Sequence, residues 1–291
     1  SFAESVSISS QAELESTLYV VALGVNEYRQ SEHNLNVAAK DAEDVVQFFA
    51  DASGQGWGAV ETLCLTNEEV TKQSISRVAE FFSQADPHDG AILFLAGHGL
   101  LDDSYDYYFA TSEIDFENPG DTGGVKFEEL ELVLSRCAAL RKLGLIDTCH
   151  AGELDEGMLA EASSLLEANG VRATGFPKPR GKQNQKIVGA RDRELISELF
   201  ADLRRGSGAT IIAASAGAEF SLESDDLGNG IFTHAVLRSL REKAGDENQD
   251  GRIDVRELRR FVEREAKRLT GGLQNPSSRR FNLVNPFVII E

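Results

Sequence analysis

The sequence predicts an α/β fold, an open and mostly parallel six-stranded sheet with helices on both faces. Two apolar runs, 18–24 and 91–96, are short and continuous, which is typical of buried parallel strands. Other segments, such as 36–50, repeat apolar residues at helical spacing. The two kinds of segment alternate along the chain, and this alternation predicts a parallel sheet covered by helices.

Each predicted element depends on one of these two patterns. Continuous apolar or aromatic runs predict the strands, which are 18–24, 58–65, 91–96, 105–111, 142–147, 209–215 and 286–290. Amphipathic or helix-compatible segments predict the helices, which are 36–50, 71–84, 127–137, 158–169, 191–203, 231–243 and 255–269. Residues 1–17 are polar, and we expect a loosely held lead-in there.

The composition of the chain changes after residue 169. Residues 170–190 contain Gly, Pro, Asn and Gln without apolar periodicity, and they carry basic residues but no acid. We therefore predict a linker at 170–193 that divides the chain into two parts, 18–169 and 194–291.

Charge and cysteine content exclude several classes of protein. The net charge of −19 disfavours nucleic acids and anionic membrane surfaces as partners and suits a basic peptide or a cation. We find no apolar run near the ~20 residues that span a bilayer and no signal-peptide pattern. The three cysteines, Cys64, Cys137 and Cys149, are too few for a disulfide framework, so we expect a reducing, cytoplasmic location. Cys64 and Cys137 lie in apolar segments and are expected to be core residues.

Cys149 and His98 stand where two predicted buried strands end. The carboxyl ends of parallel strands meet at one edge of a sheet, where ligands bind. A lone thiol or imidazole there would more often be structural, but the pair predicts a nucleophile and its general base. His150 competes for the base role, although successive residues of a strand point apart, which favours His98. The backbone N–H groups of Gly99 and Cys149 are candidates for an oxyanion hole.

Two motifs around this pair resemble a known family. Leu-Phe-Leu-Ala-Gly-His-Gly at 93–99 is followed about 50 residues later by Leu-Ile-Asp-Thr-Cys-His-Ala-Gly at 145–152. Together they resemble caspase-like cysteine peptidases of peptidase family C14, and most closely metacaspases and bacterial caspase homologues. Further segments that resemble the family are 22–28, 38–42, 213–217 and 230–233. The resemblance implies the caspase–hemoglobinase fold, cysteine endopeptidase activity, and large-subunit-like (18–169) and small-subunit-like (194–291) parts.

Several acids suggest a preference for basic substrates. Asp147 is two residues before Cys149, so the period of a strand puts both on one side, facing the substrate; the alternative is a carboxylate that caps backbone N–H groups. The resemblance implies that Asp147 and Asp41 line a pocket for Arg or Lys, and it adds Ser215 as a substrate-binding candidate. Glu223 lies about where caspases place an arginine, although it would equally be a solvated loop charge. We expect cleavage after Arg, then Lys.

The predicted linker offers such a peptidase its own substrate. We predict a cut within about 171–193 that gives a large and a small fragment that stay associated; the alternative is a solvated, uncut linker. The autocleavage candidates are Arg172, Lys178, Arg180, Lys182, Lys186, Arg191 and Arg193.

Residues 246–257 fit the pattern of an EF-hand calcium loop. The candidate ligands at positions 1, 3, 5, 7, 9 and 12 are Asp246, Asn248, Asp250, Arg252, Asp254 and Glu257. Gly251 occupies the turn position and Ile253 the apolar position. We expect Ca²⁺ here, and no organic cofactor; the alternative is an acidic loop that binds weakly or only stabilises.

Three other functions compete with a peptidase. A catalytically silent caspase-like scaffold would bind partner proteins, and a calcium-binding interaction protein would use 246–257 alone. A cysteine hydrolase of small amides would use the same pair of residues on another substrate. The resemblance further implies a regulatory or effector partner and a role in bacterial defence or cell death.

Overall fold

The computed structural model describes residues 16–102, 104, 106–150, 173–174, 208–214, 223–224, 227–276 and 287–291, and for 149–150, 173–174 and 223–224 it describes the backbone alone. The strands are β1 (Thr17–Gly24), β2 (Ala59–Thr66), β3 (Gly90–Leu101), β4 (Tyr107–Ala110), β5 (Gly124–Lys126), β6 (Arg141–His150), β7 (Ala173–Thr174), β8 (Thr210–Ala213), β9 (Glu223–Ser224), β10 (Asn229–Gly230), β11 (Ile253–Asp254) and β12 (Val288–Ile290). The helices are α1 (Ala38–Asp51), α2 (Ser74–Phe82), α3 (Phe127–Arg136), α4 (Ile231–Arg241) and α5 (Val255–Leu269).

The central sheet is mostly parallel. Strands β2, β1, β3, β6 and β8 lie side by side in that order and run parallel. Strands β4 and β5 extend the sheet in antiparallel fashion from the end of β3. The predicted fold class is confirmed, although the described residues form seven strands in this sheet where six were predicted.

Helices cover both faces of the central sheet. Successive residues of a strand point to opposite faces, so each face has apolar side chains that a layer of helices buries. In β1, Val21 and Leu23 face a core that also contains the apolar residues of α2 and α3. Val20 and Ala22 face a second core, shared with α1, α4 and α5. The second core combines residues from both sides of the predicted linker, so the two parts of the chain are packed as one body.

Two predicted elements differ in the structure. The strand expected at 286–290 is β12, and it pairs with β11 in a separate small sheet instead of joining the central one. Residues 173–174, expected within the linker, form β7 and pair with β9, which pairs with β10. The helices expected at 158–169 and 191–203 lie outside the described residues. In the part of the chain that the structure describes, no helix is long and apolar enough to cross a membrane.

Candidate active site

Strands β3 and β6 bring the two predicted catalytic residues side by side. His98 is the register partner of Cys149, and Ala96 is the partner of Asp147. The sequence places His98 and Cys149 after their strands, but both lie within them. The reason is that β3 and β6 stay paired beyond their apolar runs, as far as Gly99 and His150, and β4 then pairs with Gly99–Leu101. The side chain of Cys149 is outside what the structure describes.

A backbone carbonyl sets the orientation of the His98 ring. Nε2 of His98 lies 2.8 Å from the carbonyl oxygen of His33, at the end of the short 3₁₀ turn Ser31–His33. A carbonyl oxygen only accepts, so Nε2 carries the proton and Nδ1 presents its lone pair. Among the described residues, Nδ1 has no hydrogen-bond partner. The imidazole is therefore held in the tautomer whose Nδ1 can accept a proton.

Aromatic side chains enclose this imidazole. The ring of Tyr28 lies 5.1 Å from that of His98 and the ring of Phe116 lies 5.5 Å away, measured between centroids. Phe116 is also stacked on His33 at 3.7 Å. The Tyr28 hydroxyl oxygen accepts the backbone N–H of His98 at 3.0 Å. The enclosure fixes the backbone and the ring of the base together.

Burial sets the protonation state of His98. Its side chain is only 3% exposed. The pKa of His98 is lowered from 6.5 to about 4, chiefly by loss of solvation; the bond to the His33 carbonyl opposes this shift, and the charge of the His33 side chain adds a smaller lowering. The imidazole is thus neutral at neutral pH, which is the form that accepts a proton.

Glycines are required on both sides of His98. Gly97 has φ of 148°, and a Cβ there would lie 2.9 Å from the Tyr28 hydroxyl oxygen. A Cβ on Gly99 would overlap the hydroxyl of Tyr107, which is itself hydrogen-bonded to Thr148 at 2.9 Å. Both positions therefore exclude side chains for packing reasons, and the oxyanion role of Gly99 and Cys149 stays a prediction.

Asp147 and Asp41 converge at the N-terminus of α4. The carboxylate of Asp147 accepts hydrogen bonds from the hydroxyl of Thr233, at 2.6 Å, and from the backbone N–H of Thr233, at 3.3 Å. The carboxylate of Asp41 accepts the side-chain amide of Asn229 at 2.7 Å and the N–H of Gly230 at 3.1 Å. The two acids are 4% and 2% exposed. The capping contact considered as the alternative for Asp147 is thus present.

Gly230 lies between the two acids. A Cβ on Gly230 would be 2.9 Å from one oxygen of Asp41 and 3.0 Å from one of Asp147, so the acids approach the same point. The register of the small sheet aligns Glu223 with Gly230, which brings the backbone of this third acid to the same place. Ser215 and the side chain of Glu223 lie outside the described residues.

The predicted calcium loop keeps part of the expected geometry. Gly251 has φ of 84°, and the N-cap residue of α5 is Asp254, at position 9 of the motif. The carboxylate of Asp246 accepts the N–H of Gly251 at 2.9 Å, and Glu257 completes a capping box with Asp254. Within the described ranges no three His, Cys, Asp or Glu side chains are gathered around a metal position. The side chains of the loop are of the types that bind Ca²⁺, but in this structure their oxygens accept hydrogen bonds from N–H groups of the protein.

The remaining predictions concern the two cysteines expected in the core and the basic residues of the linker. Burial raises the pKa of the Cys64 thiol to about 11 and raises that of Cys137, so both stay protonated, as expected of structural thiols. All seven autocleavage candidates lie outside the described residues, and the first of them, Arg172, immediately precedes β7.

Some residues of this site had no signal in the sequence. His33 acts through its carbonyl oxygen, which every residue has, and Phe116 lies on a loop without periodicity. Thr233 belongs to a segment that resembles the family, 230–233, and Asn229 directly precedes it, but only the tertiary contacts show which acids they touch. Tyr28 belongs to a segment, 22–28, that resembles the family, but the sequence predicts no role for its side chain.

Comparisons with known proteins give the family and the fold of the chain. The family model of peptidase C14, the caspase domain, matches residues 18–288. A crystal structure of protein GSU0716 from Geobacter sulfurreducens has the same fold, with a TM-score of 0.54, 20% sequence identity and 94% of each chain covered. No curated protein matches the chain. Because the family model covers nearly all of the described chain, this protein belongs to the caspase-domain family of peptidases, peptidase C14.

Proposed function

We propose that the protein is a cysteine endopeptidase in which Cys149 is the nucleophile and His98 the general base. One observation carries the proposal: His98 is in register with Cys149 and its proton is held on Nε2 by the His33 carbonyl oxygen. This arrangement leaves Nδ1 as the nitrogen that takes a proton from a neighbouring thiol.

The chemistry follows from a neutral base. With the pKa of His98 at about 4, the imidazole accepts the thiol proton as the sulfur attacks the substrate carbonyl. The imidazolium then gives this proton to the leaving amine, which departs and leaves a thioester. Water, deprotonated by the same nitrogen, hydrolyses the thioester and regenerates the thiol. A pair of backbone N–H groups would contribute a few kcal/mol by stabilising the oxyanion.

We propose that cleavage follows Arg, with Lys second. Two buried carboxylates, Asp41 and Asp147, approach one point beside Gly230, and Asp147 is two residues from Cys149 on the same strand. A guanidinium binds paired carboxylates through several charge-assisted hydrogen bonds, whereas an ammonium offers a single point of charge. The backbone position of Glu223 opposite Gly230 supports a third acid in this pocket.

Two regulatory features belong to the same proposal. Cleavage in the basic segment, within about 171–193, would give a large and a small fragment that stay associated. Binding of Ca²⁺ by 246–257 would draw its carboxylates away from the N–H groups that they now accept, and the fit of residue types and of the turn at Gly251 supports it. No catalytic step requires the metal.

The activity is tested by labelling and by mass spectrometry of fragments. An Arg-chloromethylketone should label wild-type protein at Cys149, and fragments should end in Arg or Lys, with and without Ca²⁺. Cys149→Ala should abolish both results. Cys64→Ala is the matched control and should change neither, because its thiol stays protonated. Failure of the wild type to label, with or without Ca²⁺, would favour the silent scaffold.

A further inference from the structure

The two acids of the proposed specificity pocket are both held by the start of α4. Thr233, in the first turn of α4, donates its hydroxyl to Asp147, and Asn229, just before the helix, donates its amide to Asp41. The same amide also reaches Asp44, at 2.8 Å. Asp147 and Asp41 come from β6 and α1, so a single segment sets the position of one carboxylate relative to the other.

The chemistry of these donors matters for a cationic ligand. A buried carboxylate is costly unless hydrogen-bond donors satisfy its oxygens. The donors from Asn229, Gly230 and Thr233 are amides and a hydroxyl, which carry no charge. These donors therefore orient the carboxylates without placing a cationic side chain where a guanidinium would bind.

We propose that Thr233 and Asn229 are positioning residues for basic specificity, which set the geometry of Asp147 and Asp41 for the side chain before the scissile bond. This inference depends on the Arg/Lys preference proposed above. Neither residue touches the reacting atoms in this role, so the expected effect is on recognition of the charged side chain and not on the bond-breaking steps.

The packing of α4 allows these contacts to be tested without unfolding the protein. The helix buries a row of apolar residues in the core that it shares with α1 and α5: Phe232, Ala235, Val236, Leu237 and Leu240. Thr233 is fully buried, so Thr233→Val keeps the shape and removes only the hydroxyl. Loss of one hydrogen bond leaves the apolar contacts of the helix in place.

The test compares two peptides that differ only in the residue before the cut, Arg or its uncharged analogue citrulline. Wild type should prefer Arg, and Thr233→Val should lower the ratio of kcat/KM for Arg over citrulline about tenfold, mainly through KM. Asn229→Ala should act in the same direction, and Thr233→Ser should restore the ratio. Thr270→Val is the matched control, because it removes a buried threonine hydroxyl at the far end of α5.

The outcomes distinguish a failure of the positioning role from a failure of the proposed basic specificity. If wild type does not distinguish Arg from citrulline, basic specificity is wrong and the inference is wrong with it. If wild type distinguishes them and Thr233→Val keeps the full ratio, the peptidase stands and the positioning role alone is refuted. An equal drop in Thr270→Val would attribute the effect to general destabilisation and would also refute it.

Discussion

At the scale of single residues, His98 shows how packing keeps an imidazole neutral and fixes its tautomer. Its ring is enclosed by aromatic groups, its Nε2 proton is engaged by a backbone carbonyl, and burial keeps it neutral. None of these three conditions involves a charged partner. Packing thus keeps the imidazole neutral, and the one hydrogen bond fixes which nitrogen carries the proton.

This burial predicts a pH dependence of stability. The pKa of His98 is about 4 in the folded protein and 6.5 when it is exposed, so the unfolded chain binds more protons between these values. The contribution of His98 to the free energy of unfolding is therefore complete above pH 6.5. It decreases by about 3 kcal/mol as the pH falls towards 4. Urea unfolding across this range should show the loss in wild type and not in His98→Gln, which keeps a donor for the His33 carbonyl. Equal slopes in the two proteins would contradict it.

At the scale of elements, α5 illustrates what a sequence reports reliably. Its predicted and observed limits agree, because the helix has a strong apolar stripe and a capping box formed by Asp254 and Glu257. Strand β3 is the opposite case. Its last residues are in the sheet only because β4 pairs with them, and such a partner has no local signature.

The loop before α5 combines capping and proposed metal binding, and two variants separate them. Asp254→Ala should lower the free energy of unfolding by about 1–2 kcal/mol in chelator, since it removes the N-cap of α5. Asp246→Ala should have little effect in chelator but should abolish the added stability that Ca²⁺ confers. Urea unfolding with and without Ca²⁺ measures both. Undiminished stabilisation of Asp246→Ala by Ca²⁺ would show that the loop does not bind through this carboxylate.

At the scale of the whole molecule, the predicted linker does not divide the protein into separate bodies. Strand β8 adds to the central sheet beside β6, and α4 packs in the same core as α1. The indole of Trp57 donates to the carbonyl of Ile289 at 2.9 Å, which ties the first part of the chain to the last strand. Cleavage of the chain between these parts would leave in place most of the non-covalent contacts that hold them together.

Fragments produced by cleavage within 178–186 should therefore remain together. A site for an unrelated protease, inserted there in a Cys149→Ala background, allows a clean cut without self-processing. The two fragments should co-elute in size-exclusion chromatography under native conditions, because the shared core is unaffected by the nick, and should separate in concentrated guanidinium. Separate elution under native conditions would contradict the single shared core.

The sequence by itself determined the α/β class, the pairing of Cys149 with His98 and the candidate acids. These depend on local patterns: continuous apolar runs, helical spacing and two motifs whose residues are close in the chain. Only the tertiary structure decided that His33 orients the base and that Thr233 and Asn229 hold Asp147 and Asp41. Each of these contacts joins segments far apart in the chain through a backbone carbonyl, a hydroxyl or an amide, and groups so common acquire a role only when folding brings them to their partner.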